Sequence, residues 1–484
     1  MSEPKVLSVA SEIFPLVKTG GLADVTGALP GALAREGVEM RTLVPAYPPV
    51  AAKLAEASIA HVYADLFGGP ARVLAGKAAG LDLFALDAPH LFDRPGNPYL
   101  GPNGLDWPDN ARRFAALARV GADIGLGAIN AFRPDVVHAH DWQAALAPAY
   151  LHYAGGSRPG TAITIHNIAF QGHYPASIFG ELGLPAGAMT IDGVEYFGGV
   201  GYLKAGLLLS DRITTVSPTY AREIMTPEFG MALDGLLRTR AADVSGIVNG
   251  IDDTVWNPAT DAALAQHYSA LRIDMRARNK STVQNRMGLA AGLNRPLFGV
   301  ISRLSDQKGL DLLLEALPDL IAKGGQLALL GSGDRALEAG FAAAAAARPD
   351  AVGCVIGYDE RLAHLFQAGA DFIVVPSRFE PCGLTQLCAL RYGAIPVVAH
   401  VGGLADTVID ANQAATAAGV ATGVQFYPPS VEALTYALDR ALAISREPAV
   451  SRRLKLNGMR SDVSWRGPAQ RYAALYRSIA RTPE

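Results

Sequence analysis

The chain predicts an α/β fold built on two doubly wound, mainly parallel sheets. Short β-branched runs alternate with longer helix-like segments along its length, the pattern of parallel strands covered on both faces by crossover helices. At 484 residues it exceeds one ordinary core, and a chain of this size divides into roughly two to four domains. Its polar, chemistry-bearing residues gather where strand patterns give way to helix patterns, the edge at which open α/β sheets bind ligands.

In the first half the strand candidates are residues 6–10, 42–44, 83–86, 136–139, 162–165 and 213–216. The second half repeats the rhythm at 298–301, 327–330, 352–356, 372–375 and 396–399. Between the two sets, Val248-Asn249-Gly250-Ile251-Asp252 supplies turn chemistry and Trp256-Asn257-Pro258 halts regular structure, so residues 246–258 hold the best boundary. Residues 455–484 form a second transition. Gly467-Pro468 starts a helix there, and Tyr472, Leu475, Tyr476 and Ile479 line one apolar stripe of it. The alanine run 342–347 reads as helix.

Composition excludes several function classes. The chain is 50% hydrophobic and 18% charged, with mean hydropathy +0.18 and a pI near 6.4. A net charge of -3 gives no general attraction to nucleic acid or an anionic membrane, so any anion binding is local. Cys354, Cys382 and Cys388 supply neither a disulfide framework nor a zinc-ligand spacing, which fits a reducing compartment. No leader pattern opens the chain and no apolar run approaches the ~20 residues of a membrane span, so a cytoplasmic protein is expected.

Each candidate site has a structural reading beside its chemical one. Gly20 and Gly21 allow close backbone approach to a phosphate at a helix start, with Lys18 as a point charge; alone, the same residues make an ordinary turn. Asp24 accepts a sugar hydroxyl or merely favours the first helical turn. Arg303 and Lys308, just past a buried strand, either neutralise a diphosphate leaving group or are solvated. Gly331-Ser332-Gly333 imitates the weak form of a dinucleotide fingerprint and raises an NAD-dependent dehydrogenase as a rival, although no acidic residue is well placed at the end of a following strand. Tyr358 stacks on a base or packs. His138 and His140 share one strand face and so resemble a metal pair, but the rest of a ligand set is missing. Asp141, His166 and Asn167 follow strand ends. Glu380 stands between a strand and a helix beginning near Gly383-Leu384-Thr385, where it serves a sugar or only the helix terminus. Cys382 is a thiol or a buried spacer.

Taken together, these stretches resemble the bacterial glycogen synthases and their plant starch-synthase relatives. Lys18 to Asp24, His138 to Trp142, His166-Asn167, Val248 to Asp252, Ser302 to Gly309, Gly357-Tyr358, Pro376 to Gln386 and Gly402 to Thr407 match in family order across nearly the whole chain. The resemblance implies a GT-B architecture of two Rossmann-like domains facing a deep cleft. Residues 1–245 with a returning helix 464–484 would form the glucan side, and 246–463 the nucleotide-sugar side. It implies retaining transfer of glucose from ADP-glucose to the non-reducing end of an α-1,4-glucan, with no metal or cofactor. By position it assigns Glu380, His166, Asp141, Arg303 and Lys308 to catalysis. Lys18, Gly20, Gly21, Asp24, Asn167, Asn249, Tyr358, Cys382, Gly383, Leu384 and Thr385 fall to ADP-glucose binding. Domain closure would then bring Lys18 towards Arg303, Lys308 and Glu380. Broader relatives carry a second Glu eight positions after the first; here that position is Cys388, so its role does not transfer.

Two rivals remain at this level. A glycoside hydrolase would use Asp141 and Glu380 as paired carboxylates ~5–10 Å apart, which leaves the phosphate-binding loops without a purpose. A non-catalytic glucan-binding protein would not need Lys18, Arg303, Lys308 and Glu380 together.

Overall fold

The computed structural model describes residues 3–481. It divides into two compact units, Met1–Asn249 with Trp465–Glu484, and Gly250–Ser464. The first unit contains β1 (Lys5–Val9), β2 (Glu39–Pro45), β3 (Ala55–Tyr63), β4 (Ala71–Ala78), β5 (Leu81–Asp87), β6 (Val136–His140), β7 (Gly160–Ile165), β8 (His173–Pro175), β9 (Glu195–Tyr196), β10 (Gly199–Gly201), β11 (Arg212–Thr215) and β12 (Val244–Gly246). Its main sheet runs β12-β11-β7-β6-β1-β2-β5-β4-β3. The ladder from β12 to β5 is parallel, while β4 and β3 add antiparallel. A small antiparallel sheet, β8-β10-β9, is set apart.

The second unit contains β13 (Leu297–Ile301), β14 (Gln326–Gly331), β15 (Val352–Ile356), β16 (Phe372–Val375), β17 (Ile395–Ala399) and β18 (Val424–Phe426). They form one sheet, β15-β14-β13-β16-β17-β18, parallel throughout. That order is the Rossmann order 3-2-1-4-5-6, and the parallel part of the first sheet follows the same scheme outward from β1 and β6. Near-continuous apolar strands such as Phe372–Val375 suit this position, because both faces of the sheet are covered.

The terminal helix Arg466–Ile479 returns to the first unit. Trp465, Ala469, Tyr472, Ala473, Tyr476 and Ile479 are buried against Val6, Val25, Leu29, Val136 and Ile247, with Leu475 partly buried beside them. Burying each large side chain of this stripe contributes about 1.5–3 kcal/mol as an upper estimate. Tyr476 also places its hydroxyl 2.8 Å from Nδ1 of His138, whose Nε2 lies 2.6 Å from Oγ1 of Thr164.

The first unit ends after Asn249 rather than after residue 245, since Val244–Gly246 pairs with β11. A glycine is needed at 246, where any Cβ would stand 2.2 Å from the Ser217 carbonyl oxygen. The ends of the expected segments, residues 1–2 and 482–484, lie outside the described residues. Among the described residues no helix is long and apolar enough to cross a membrane.

Tyr476→Phe leaves Nδ1 of His138 buried without its partner and destabilises the first unit by about 1–3 kcal/mol. The check is the denaturant midpoint, with the exposed Tyr436→Phe as a control expected to stay within ~0.5 kcal/mol of the parent.

Candidate functional site

In a doubly wound sheet the crevice opens where the chain reverses its direction of winding. In the second unit that point lies between β13 and β16, and the loops leaving these two strands carry Arg303 and Lys308 on one side and Glu380 on the other. Lys308 Nζ is 2.6 Å from Glu380 Oε2, and Ser377 Oγ donates to the same oxygen at 2.9 Å. Both members of the ion pair are largely withdrawn from water. Removing one member of such a pair strands the other charge, which costs about 3–5 kcal/mol.

The two loops are tied to each other. Arg378 donates to both carboxylate oxygens of Asp311, at 2.7 and 2.6 Å, and to the Asp306 carbonyl at 2.7 Å. Its backbone N–H reaches the Gln307 carbonyl at 2.9 Å. Gly309 lets the first loop pass this close: its φ is 64°, and a Cβ would stand 2.0 Å from the Pro376 carbonyl oxygen. Arg303, by contrast, is exposed and makes no side-chain hydrogen bond or ion pair among the described residues. A cavity of about 50 Å³ lies here, lined in part by Ser302, Lys308, Glu380, Gly383 and Thr385. The helix Thr385–Tyr392 starts at its wall with no side-chain cap, so its leading N–H groups are open to an anion.

In the first unit the reversal lies between β1 and β6. Asp141 follows β6 with φ 54°, a left-handed conformation that Asp tolerates better than most residues. Its Oδ1 accepts the backbone N–H groups of His166, at 2.7 Å, and Asn167, at 3.4 Å. Burial pushes its carboxyl up to about 7, against the opposing effect of those two hydrogen bonds, and the Glu12 carboxylate pushes it the same way as burial. His166 Nε2 is 3.0 Å from His140 Nδ1. Burial drives His138 and His166 down to about 3 and His140 well below its ordinary value, so all three rings are neutral at pH 7. The convergence expected of His138 and His140 occurs as ring contact, with centroids 4.1 Å apart.

Lys18 and Asp24 are brought together as an ion pair of 2.7 Å at the edge of the helix Gly21–Ala34. Not every expected contact has the form the sequence suggested. The N–H groups of Thr19 and Gly20 do not face outward; both donate to Glu12. Asn167 Oδ1 closes a local turn by accepting from Ala169 N at 3.0 Å. Asn249 is buried, and its Oδ1 has no hydrogen-bond partner among the described residues. Tyr358 is 75% exposed on the loop after β15. Cys382 is buried, and its carbonyl accepts from Gln386 Nε2 at 2.9 Å, while Leu384 is half-buried at the cap of the Thr385 helix. Gly331-Ser332-Gly333 serves chain packing: Ser332 O accepts from Leu304 N at 3.0 Å and Gly333 N donates to Glu338 at 2.8 Å.

Sequence reasoning missed Glu12 and the Arg378–Asp311 clamp. Glu12 carried one available signal, a carboxylate in the loop just beyond a buried strand, as Asp141 is beyond β6.

Because the folded-state carboxyl of Asp141 binds its proton up to about pH 7, against 3.8 ordinarily, the native state holds more protons than the unfolded state between those limits. Its contribution to stability therefore falls as pH rises through that window. Asp141→Asn keeps an acceptor for His166 and Asn167 and removes the titration. Relative to the parent, the variant gains about 1–3 kcal/mol between pH 5 and pH 8 in denaturant melts; identical pH dependence in both proteins would contradict this.

Comparison with known proteins agrees with this geometry. A family model described as the starch synthase catalytic domain matches residues 5–239, and one for glycosyl transferases group 1 matches residues 284–458. A glycogen synthase of Rhodopseudomonas palustris (strain BisA53) is 61% identical, covering 100% of this chain and 99% of its own. One of Methylocella silvestris is 60% identical, covering 99% of this chain and 100% of its own. Among solved structures, the catalytic domain of starch synthase IV from Arabidopsis thaliana bound to ADP and acarbose superposes with a TM-score of 0.86 at 32% identity, over 99% of this chain and 100% of that one. A sucrose-phosphate synthase from Thermosynechococcus elongatus, at 17% identity and TM-score 0.58 over 99% of both chains, shares the fold. The chain belongs to the glycogen synthase family of GT-B glycosyltransferases.

Proposed function

We propose that the chain elongates an α-1,4-glucan by transferring glucose from ADP-glucose to its non-reducing end with retention at the anomeric carbon. The observation that carries this reading is the Lys308–Glu380 pair at the reversal of the second sheet, beside exposed Arg303 and an uncapped helix start. Glycosyl transfer from a nucleotide sugar places its largest electrostatic demand on the departing diphosphate, and fixed cations and backbone N–H groups meet it without reorganisation. Arg303, Lys308 and the amides of Gly383, Leu384 and Thr385 take that role. Tyr358 offers an exposed ring to the base. Glu380, already oriented by Lys308 and Ser377, presents its remaining acceptor capacity to the sugar.

On the first unit, neutral His166 and the partly titrating Asp141 suit hydroxyl groups rather than phosphates, since each can accept or donate a hydrogen bond near neutral pH. The Lys18 loop, with Gly20, Gly21 and Asp24, supplies a third donor-side cation. Asn167 and Asn249 add polar contacts. The reading assigns no metal, because cations of the chain itself meet the diphosphate charge, and it places the enzyme in the cytoplasm with its polymer. Relatives named glycogen synthases at about 60% identity support this substrate class, as does an Arabidopsis relative described with ADP and acarbose.

The test is incorporation of labelled glucose into glycogen, run with ADP-glucose and with UDP-glucose. ADP-glucose is expected to be the faster donor, and activity is expected to survive EDTA. Steady release of glucose from glucan alone would instead favour a hydrolase. Lys308→Ala is expected to lower kcat/KM about 10²–10³-fold; a variant unchanged in turnover and donor affinity would sink the assignment.

A further inference from the structure

Among the described residues, Glu12 is a charged side chain at the reversal of the first sheet to which the proposed chemistry gives no task. It lies three residues beyond the end of β1 and is 2% exposed. A buried carboxylate is costly unless charge or hydrogen bonds compensate it, and among the described residues Glu12 forms no ion pair. Its compensation comes from hydrogen-bond donors. Oε2 accepts the N–H of Thr19, and that of Gly20 at 3.2 Å; Oε1 accepts the Thr19 hydroxyl at 2.5 Å and the Tyr99 hydroxyl. Hydrogen bonds to an ionised acceptor are roughly twice as strong as neutral ones.

The same residue holds the loop from its other side. Its carbonyl accepts Thr26 Oγ1 of the following helix at 2.7 Å, and the next residues close on themselves through reciprocal Ile13 and Val17 backbone bonds of 3.0 and 2.9 Å. The segment from Glu12 to Gly20 is thus a closed ring with the carboxylate at its centre. With Thr19 and Gly20 turned inward, the amides left at the start of the Gly21–Ala34 helix are those of Gly21, Leu22 and Ala23, since the Gly20 cap supplies no side-chain acceptor. A negative charge beneath an anion-facing loop opposes the anion, so the value of Glu12 lies in geometry rather than in field.

We propose that Glu12 is a positioning residue, whose carboxylate gathers Thr19, Gly20 and Tyr99 so that Lys18 and the Gly21 and Leu22 amides are presented to the diphosphate of the nucleotide sugar. This rests on the donor reading given above. It predicts a loss confined to the donor. Glu12→Leu keeps most of the volume but removes both oxygens that accept the Thr19 and Gly20 N–H groups and the Thr19 and Tyr99 hydroxyls, and it is expected to raise the KM for ADP-glucose and the Kd for ADP at least tenfold. The KM for glucan should change less than twofold.

Thr19→Val and Thr19→Ser form a second arm at an exposed position where folding is not at stake. Valine removes only the hydroxyl and is expected to raise the donor KM about threefold, while serine restores it and should behave as the parent. ADP affinity is read by calorimetry and both KM values by initial rates. Parent-like donor constants in Glu12→Leu, or equal behaviour of the valine and serine variants, would overturn the proposal while leaving the function intact. A parent protein that binds no ADP and uses no ADP-glucose would remove both.

Discussion

A strand that ends at the carboxyl edge of a parallel sheet releases its chain into a loop whose N–H groups have no neighbouring strand to bond. In this protein carboxylates at the strand ends supply the missing acceptors. Glu12, after β1, takes the amides of Thr19 and Gly20, and Asp141, after β6, takes those of His166 and Asn167. In the second unit the corresponding carboxylate, Glu380, turns its side chain to Lys308 and Ser377 and leaves its carbonyl to accept from Gly403 N at 3.1 Å. Because the topology puts all three at points where winding reverses, satisfying the backbone and building the site are one problem.

The two units solve it with opposite electrostatics. Around Asp141 the neighbouring histidines are held neutral by burial and offer no cation, and burial, with the Glu12 carboxylate behind it, raises the carboxyl there. Around Glu380 the neighbours are Lys308 and Ser377, and the loop that carries Lys308 also carries the exposed Arg303. Hydroxyl groups of a sugar ask for the first kind of surface and a diphosphate for the second.

Much of this was legible in the sequence because buried parallel strands write themselves as short β-branched runs, and the runs at 136–139 and 372–375 coincide closely with β6 and β16. The hairpin of β3 and β4 was not legible: no residue of β3 is buried, so Ala55–Tyr63 lacks the apolar continuity by which its neighbours were found. The short β8-β10-β9 sheet escaped for want of length. Site residues were legible where a charge stood beside glycines, as with Lys18 and Lys308. Glu12 and Arg378 act on backbone and carboxylate partners, and Glu12 meets the N–H of Thr19 and Gly20 only once the loop has closed. A pattern of side chains does not reveal which amides a carboxylate will collect.

The same distinction explains Cys388, where broader relatives of the fold carry a second glutamate. On the helix Thr385–Tyr392, residue 388 is buried in an apolar cluster with Ile251 and Leu387, against which Trp256, Leu384 and Val463 pack. Ile251 and Val463 are themselves joined, the Ile251 N–H donating to the Val463 carbonyl at 2.9 Å. A carboxylate at 388 would enter that cluster without a cation among these side chains, at a cost of several kcal/mol. A small, weakly polar thiol fits where the charge does not. The position therefore serves the packing that holds residues 251 and 463 side by side.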